Sequence, residues 1–275
     1  MKKTVILALA AAILFSASAP AVFSPPGTSA EAMIVLHAES GAVLAEKNAD
    51  TPMLIASTTK LMTALTALDL ASPEHSVTVQ SEWTTVEGSS MYLRAGESYT
   101  LRELLEGLLL ASGNDAALAI AGSLGGDAFI EQMNRKAEEL GLTVSHFANP
   151  HGLTADGHYT TAYDLYLIFN EAIKYDTFTE IIHMANYKTT YYDKIGNAKE
   201  ISVSSTNWYL NGKTKQPENI TVIGGKTGTT NAARNCLILL SRDVKGSPYI
   251  SVILSSVSRD ILYPEMTDLL EEINK

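Results

Sequence analysis

Segments with strand-like sequences lie at both ends of the chain, and the segments between them have helical spacing. Two apolar runs separated by Glu39, Ser40 and Gly41 predict an early hairpin over residues 33–44. Later strands are expected at residues 201–203, 220–223, 236–240 and 249–254, and helices at residues 57–68, 100–110, 127–140, 161–173 and 265–274. The simplest arrangement is an α+β fold, in which a mainly antiparallel sheet is flanked by helices and a helical lobe is inserted between its strands.

The first 30 residues have the pattern of a secretory signal. Lys2 and Lys3 precede an apolar run over residues 5–15 and then a stretch of small residues. We therefore expect residues 1–30 to be a signal peptide, or an uncleaved anchor, and residues 31–275 to form one secreted, extracytoplasmic domain. Cys236 is the only cysteine, so no intrachain disulfide can form, and its apolar surroundings in the sequence predict an inert core residue.

The charge of the chain limits its partners. The formal net charge is -10, whereas nucleic acids and anionic membrane surfaces attract proteins with basic patches. A small or neutral substrate is the better expectation.

A possible nucleophile and base occur together in Ser57-Thr58-Thr59-Lys60. Residues three apart on a helix lie on the same face, so the hydroxyl and the amine can meet. Serine is a weak nucleophile unless a neighbouring base takes its proton. Lysine can be that base if burial or another cation lowers its pKa. The pattern is short enough to occur by chance.

Ser112-Gly113-Asn114 forms a second polar box after the helix expected at residues 100–110. Ser205-Thr206-Asn207 fits the same Ser-x-Asn pattern but lies in a polar loop, where these residue types commonly shape turns. The position after a long helix favours Ser112 and Asn114 as the functional pair.

The third box, Lys226-Thr227-Gly228, follows an expected strand and the pair Gly224-Gly225. Glycines allow a substrate backbone to lie against a strand edge. Lysine and threonine then offer a cation and a hydroxyl to a carboxylate. The alternative is a glycine-rich hairpin turn with an exposed lysine.

In this order the three boxes resemble those of the penicillin-binding protein and serine β-lactamase superfamily. Residues 112–117, 147–153 and 161–165 are similar to segments of the low-molecular-mass penicillin-binding proteins that are serine-type D-alanyl-D-alanine carboxypeptidases. The resemblance runs from about residue 34 to about residue 270 and implies the DD-peptidase/β-lactamase-like fold.

The resemblance implies a role for each box. Ser57 would form an acyl-enzyme with the penultimate D-alanine of a peptidoglycan stem peptide, Lys60 would be the general base, and Ser112 would pass the proton to the leaving amine. The substrate-binding residues would be Asn114, Lys226, Thr227, Gly228 and Thr229, and the backbone N–H groups of Ser57 and Thr229 would form the oxyanion hole. β-Lactams would be covalent inhibitors, and no cofactor or metal would be required.

Three positions depart from the family pattern. Thr229 stands where histidine is frequent, Arg234 where a small glycine is usual, and Tyr163 where arginine is common. Arg259 is either a second cation for the substrate carboxylate or part of a surface salt bridge. Many relatives continue into a β-rich domain and a basic amphipathic helix, whereas residues 268–272 are acidic. We therefore expect neither a C-terminal β-domain nor an anchoring helix, and membrane contact only through an uncleaved N-terminal segment.

Other functions remain open at this point. The main alternatives are a DD-endopeptidase or a β-lactamase of the same superfamily, and a non-catalytic protein that binds β-lactams or peptidoglycan. No Glu-x-x-Leu-Asn pattern occurs between Gly141 and Lys226, which weakens the β-lactamase alternative, and the intact boxes argue against a non-catalytic protein. We expect structural roles for His146, His151 and His158, and packing roles for Tyr187, Tyr191 and Tyr192.

Overall fold

The computed structural model describes residues 22–23, 25, 27–193 and 195–273. The strands are β1 Ala32–His37, β2 Val43–Lys47, β3 Ser76–Thr78, β4 Ser98–Thr100, β5 Asn186–Tyr192, β6 Ala198–Ser204, β7 Ile220–Thr230, β8 Arg234–Asp243 and β9 Pro248–Ser256. The helices are α1 Lys60–Leu70, α2 Leu101–Leu109, α3 Asn114–Ser123, α4 Asp127–Glu139, α5 Ala162–Ala172, α6 Asp176–His183 and α7 Arg259–Glu272. A short 3-10 helix, Ala56–Thr59, precedes α1.

The early hairpin and the late strands form one five-stranded sheet with the order β2-β1-β9-β8-β7. Each neighbouring pair is antiparallel. This confirms the predicted α+β architecture, in which most of the helices are inserted between β2 and β7.

Alternating side chains of β8, which lies between β9 and β7, enter two separate hydrophobic cores. Ile238 and Leu240 belong to the core shared with the helical lobe, and Leu237 and Leu239 belong to the core beneath α7. Successive side chains of a strand point to opposite faces, so a sheet covered on both sides requires the continuous apolar run seen in the sequence. Burying each such side chain stabilises the fold by roughly 1.5–3 kcal/mol.

The structure differs from the sequence expectation in its second sheet. The expected strand at residues 201–203 lies in β6, which pairs with β5 in a four-stranded sheet of order β3-β4-β5-β6. It therefore does not join the large sheet. Two of these strands have three residues each, which is too short for an alternating pattern to be recognised.

Two helices also differ from the sequence expectation. The last helix begins at Arg259, because Ser258 caps it by accepting a hydrogen bond from Ile261 N, and it continues through Pro264. The helix α3 begins at Asn114, shortly after α2, where no helix was expected.

Most of the expected signal, residues 1–21, lies outside the described residues. In the part of the chain that the structure describes, no helix is long and apolar enough to cross a bilayer.

Candidate active site

Ser57 lies on the tight turn before α1, with its backbone enclosed on two sides. Ala56 has a φ of 49°, a left-handed conformation unusual for a residue with a side chain. A Cβ on Gly152 would lie 1.9 Å from Ala56 O, and a Cβ on Gly228 would lie 3.0 Å from Ser57 N. Because neither glycine has a side chain, the backbone segments that contain them can contact the Ser57 turn directly.

Lys60 is completely buried, and three oxygen atoms surround its amine. Nζ lies 2.9 Å from Ser57 Oγ, 2.7 Å from Asn114 Oδ1 and 2.7 Å from the backbone oxygen of His151. The last two atoms can only accept hydrogen bonds. A neutral lysine amine would use its two hydrogens on them, which directs its lone pair to the Ser57 hydroxyl.

The surroundings of Lys60 favour this neutral form. Burial lowers the pKa of Lys60 well below its usual value, and the nearby Lys226 lowers it further, while Asp115 acts in the opposite direction. Burial and the Arg259 guanidinium lower the pKa of Lys226 to about 7. A positive charge on Lys226 therefore favours the neutral form of Lys60.

Ser112 connects Lys226 to the second box. Lys226 Nζ donates to Ser112 Oγ at 2.8 Å and to the backbone oxygen of Thr227 at 2.8 Å. Ser112 has a φ of 60°, so its backbone turns sharply between α2 and α3. Ser112 and Lys226 are both buried, which shields their interaction from solvent.

Asn114 and Asp115, at the start of α3, hold the neighbouring loop in place. Asn114 Nδ2 donates to Glu87 O at 2.6 Å, which leaves Oδ1 facing Lys60. The Asp115 carboxylate, which is 1% exposed, accepts from the backbone N–H groups of Met91 and Leu93, both at 3.0 Å. The sequence does not indicate this role of Asp115, because its partners come from a loop more than 20 residues away.

The loop at residues 149–153 supplies the carbonyl that contacts Lys60. Asn149 Oδ1 accepts from Gly152 N at 2.7 Å, and Thr63 donates to Pro150 O at 2.6 Å. These bonds attach the loop to α1 and fix the position of His151 O. A backbone carbonyl has no residue type of its own, so the sequence could not identify this acceptor.

His158 supports the same region. Ala148 N donates to His158 Nδ1 at 3.1 Å, so the ring proton must be on Nε2, which lies 2.7 Å from Thr59 Oγ1. Burial and the nearby His146 lower the pKa of His158 to about 4. A neutral His158 that donates to Thr59 fits these contacts.

Thr227 and Thr229, on β7, have different partners. Thr227 Oγ1 lies 2.6 Å from Thr206 Oγ1. Thr229 donates to Asn235 Oδ1 at 3.2 Å and accepts from Arg259 Nη2 at 3.3 Å. Arg259 makes no ion pair with the residues that the structure describes, so the surface salt bridge considered from the sequence is absent there.

The other two departures from the family pattern lie at the surface. Arg234 has a φ of 54°, the conformation that favours the usual glycine, and it forms an ion pair with Glu31 at 3.1 Å. Tyr163 is 37% exposed and its ring lies 5.9 Å from that of Tyr166.

The remaining residues singled out in the sequence lie outside this cluster. Tyr191 stacks on Tyr99 with ring centroids 5.0 Å apart, whereas Tyr192 is 57% exposed. Cys236 is fully buried, and burial raises the pKa of its thiol to about 12. All three polar boxes, by contrast, lie in one contact network.

The sequence is similar to those of known D-alanyl-D-alanine carboxypeptidases. It is 35% identical over 215 residues to DacF of Bacillus subtilis strain 168, a match that covers 76% of this chain and 53% of that protein. The chain thus spans about half the length of this relative. It is also 31% identical over 265 residues to the D-alanyl-D-alanine carboxypeptidase of Streptomyces strain K15, covering 91% of this chain and 88% of that protein.

The fold is similar as well. The crystal structure of the Streptomyces K15 DD-transpeptidase matches with a TM-score of 0.84 and 29% identity, covering 91% of this chain and 98% of that one. The sequence profile described as D-alanyl-D-alanine carboxypeptidase matches residues 19–258. The chain therefore belongs to the D-alanyl-D-alanine carboxypeptidase family and has its β-lactamase-like fold.

Proposed function

We propose that the protein is a serine D-alanyl-D-alanine carboxypeptidase that removes the terminal D-alanine from peptidoglycan stem peptides on the outer side of the bacterial membrane. The observation that carries the proposal is the contact of Lys60 with Ser57. A buried lysine whose other two neighbours are acceptors can present a lone pair to a serine hydroxyl at 2.9 Å, which is the arrangement a nucleophile and its base require.

Acylation then follows from the positions of the groups. Lys60 takes the proton of the Ser57 hydroxyl while Oγ attacks the carbonyl carbon of the penultimate D-alanine. When the C–N bond breaks, Lys60 gives up this proton, which passes through Ser112 to the leaving amine; the Ser112 hydroxyl is held by Lys226 at 2.8 Å. In deacylation Lys60 takes a proton from water, whose oxygen attacks the ester carbonyl carbon. Lys60 then returns that proton to Ser57 Oγ as the ester C–O bond breaks. A β-lactam would stop at the acyl-enzyme.

The oxyanion of the tetrahedral intermediate would lie between the backbone N–H groups of Ser57 and Thr229. The closeness of Gly228 to Ser57 N supports this assignment, because it brings β7 beside the nucleophile. Loss of one such donor costs about 3–4 kcal/mol of transition-state stabilisation in other serine hydrolases.

Cations suited to the terminal carboxylate surround the same end of β7. Arg259 lies close enough to Lys226 to lower the pKa of Lys226. Arg259 Nη2 donates a hydrogen bond to Thr229 Oγ1 at 3.3 Å, which places the guanidinium beside β7. We assign Lys226, Thr227 and Arg259 to carboxylate binding, and Asn114 to the substrate amide.

Transfer of the acyl group to an amine is the second candidate reaction. The crystal structure from Streptomyces K15 is named a DD-transpeptidase. The similar sequence from the same strain is named a D-alanyl-D-alanine carboxypeptidase. The two reactions share the acyl-enzyme and differ only in whether water or an amine attacks it.

The test begins with a fluorescent penicillin and the purified protein. We expect a covalent adduct on the wild type and none on Ser57→Ala. An adduct that survives this substitution would overturn the assignment of the nucleophile. With a muramyl pentapeptide, free D-alanine together with a tetrapeptide indicates carboxypeptidase activity. A new amide after addition of glycine indicates transfer, and cleavage of cross-linked dimers indicates endopeptidase activity.

A further inference from the structure

Thr206 belongs to a loop whose sequence is typical of a turn, but it lies against the third box. Its hydroxyl oxygen is 2.6 Å from that of Thr227. Backbone bonds fix this position, since Thr206 N donates to Leu110 O at 3.1 Å and Ser205 N donates to Ala185 O at 2.8 Å. Thr206 is therefore held between the end of α2 and the edge of β7.

The hydrogens at this end of the site can be accounted for one by one. Asn235 Nδ2 donates to Ser256 O at 3.2 Å, so Asn235 Oδ1 must face Thr229 and accept its hydrogen. The Thr229 hydroxyl also accepts from Arg259. It consequently has no hydrogen left for a ligand.

The pair formed by Thr206 and Thr227 is different. Each hydroxyl has one hydrogen, and a single hydrogen bond between the two oxygens uses only one of them. Within the described part of the chain, neither hydroxyl has another hydrogen-bond partner. One hydrogen of the pair thus remains to be donated.

We propose that Thr206 is a positioning residue of the carboxylate subsite: it donates to Thr227, so that the Thr227 hydroxyl donates to the C-terminal carboxylate of the substrate. This inference rests on the proposed DD-peptidase function. Hydrogen bonds to charged groups are stronger than neutral ones, and the first hydroxyl polarises the second. Thr206 thus has the orienting role that a partner of Thr229 cannot have, since the hydrogen of Thr229 is directed away from the ligand.

The test compares Thr206→Val with Thr206→Ser. Valine keeps the shape of threonine without the hydroxyl, and serine keeps the hydroxyl. With N-acyl-D-alanyl-D-alanine we expect Thr206→Val to raise KM about 10-fold with little change in kcat, as for one hydrogen bond to a charged group. Thr206→Ser should remain within about twofold of the wild type, because the bond is retained.

Ligands without the carboxylate separate positioning from general damage to the site. In a Ser57→Ala background, titration calorimetry measures the affinity for the same dipeptide and for its C-terminal amide. We expect Thr206→Val to weaken binding of the acid and to leave the amide unaffected. Equal weakening of both ligands, no effect on either, or failure of Thr206→Ser to restore the affinity would overturn the inference. Failure of the proposed function is a separate result, in which the protein with an intact Thr206 is not acylated at Ser57.

Discussion

Asn114 Oδ1 lies 2.7 Å from Lys60 Nζ, and the other end of the same amide is fixed to Glu87 O at 2.6 Å. The amide cannot rotate to offer its N–H group to Lys60 without losing the bond to Glu87. This orientation therefore fixes an acceptor for one hydrogen of the Lys60 amine, which leaves the lone pair of the neutral amine for the Ser57 hydroxyl.

Replacing Asn114 with Asp tests this relationship. A carboxylate this close to Lys60 should raise its pKa by about 1–3 units, so at neutral pH a larger fraction of Lys60 is protonated and acylation by penicillin slows, by at most about 10-fold for each unit. The rate should recover as the pH rises. An equal loss at every pH would indicate that only the geometry has changed.

Arg259→Gln should move the alkaline limit of acylation to higher pH. Arg259 lowers the pKa of Lys226 to about 7 together with burial, so its removal raises that pKa and Lys226 stays charged over a wider range. The second-order rate of penicillin acylation, measured against pH, reports this limit for the free enzyme. Arg259→Lys keeps the cation and is the matched control. An unchanged limit in Arg259→Gln would assign it to another group.

Gly228→Ala should abolish acylation while the protein remains folded. Its Cβ would lie 2.8 Å from Ile55 O and 3.0 Å from Ser57 N, and these backbone atoms cannot move without disturbing the nucleophile turn. The adduct with fluorescent penicillin is the readout, with circular dichroism as the folding control. Gly246→Ala adds backbone strain at a φ of 85° but no clash, since nothing lies within 4 Å of its Cβ, and it should keep full acylation. Normal acylation of Gly228→Ala would mean that the turn is less constrained than its contacts indicate.

Lys60→Met should remove a pH-dependent part of the stability. The pKa of Lys60 is lowered in the folded state, so between that value and its unfolded pKa of about 10.4 the unfolded chain binds more protons. The free energy of unfolding of the wild type, relative to Lys60→Met, should therefore increase with pH by up to about 1.4 kcal/mol per unit. Urea unfolding between about pH 7 and pH 10 measures the difference. A constant difference would show that Lys60 is charged in the folded protein.

Arg234→Gly should stabilise the protein by about 1 kcal/mol or less without changing acylation. A left-handed conformation costs a residue with a side chain about 1–2 kcal/mol, while the exposed ion pair with Glu31 contributes about 0–1 kcal/mol. Arg234→Ala loses the ion pair and keeps the strain, so it should be less stable than Arg234→Gly. Thermal unfolding of the three proteins gives the order, and a less stable glycine variant would contradict this explanation.

The sequence determined the strands of the large sheet and the candidate residues of the active site. Apolar runs predicted the strands of the large sheet, because a sheet covered on both faces needs apolar residues at successive positions. The order of the three boxes identified Ser57, Lys60, Ser112, Asn114 and Lys226 as candidates, and the structure places all of them in one contact network.

Only the tertiary structure decided how these groups are connected. The acceptor that completes the surroundings of Lys60 is a backbone oxygen 91 residues away, and the partner of Thr227 comes from a loop whose sequence is typical of a turn. Whether Thr227 or Thr229 keeps a hydrogen for a ligand depends on the orientation of Asn235. Hydrogen-bond direction depends on the relative positions of groups far apart in the chain, and residue spacing within a motif contains no information on those positions.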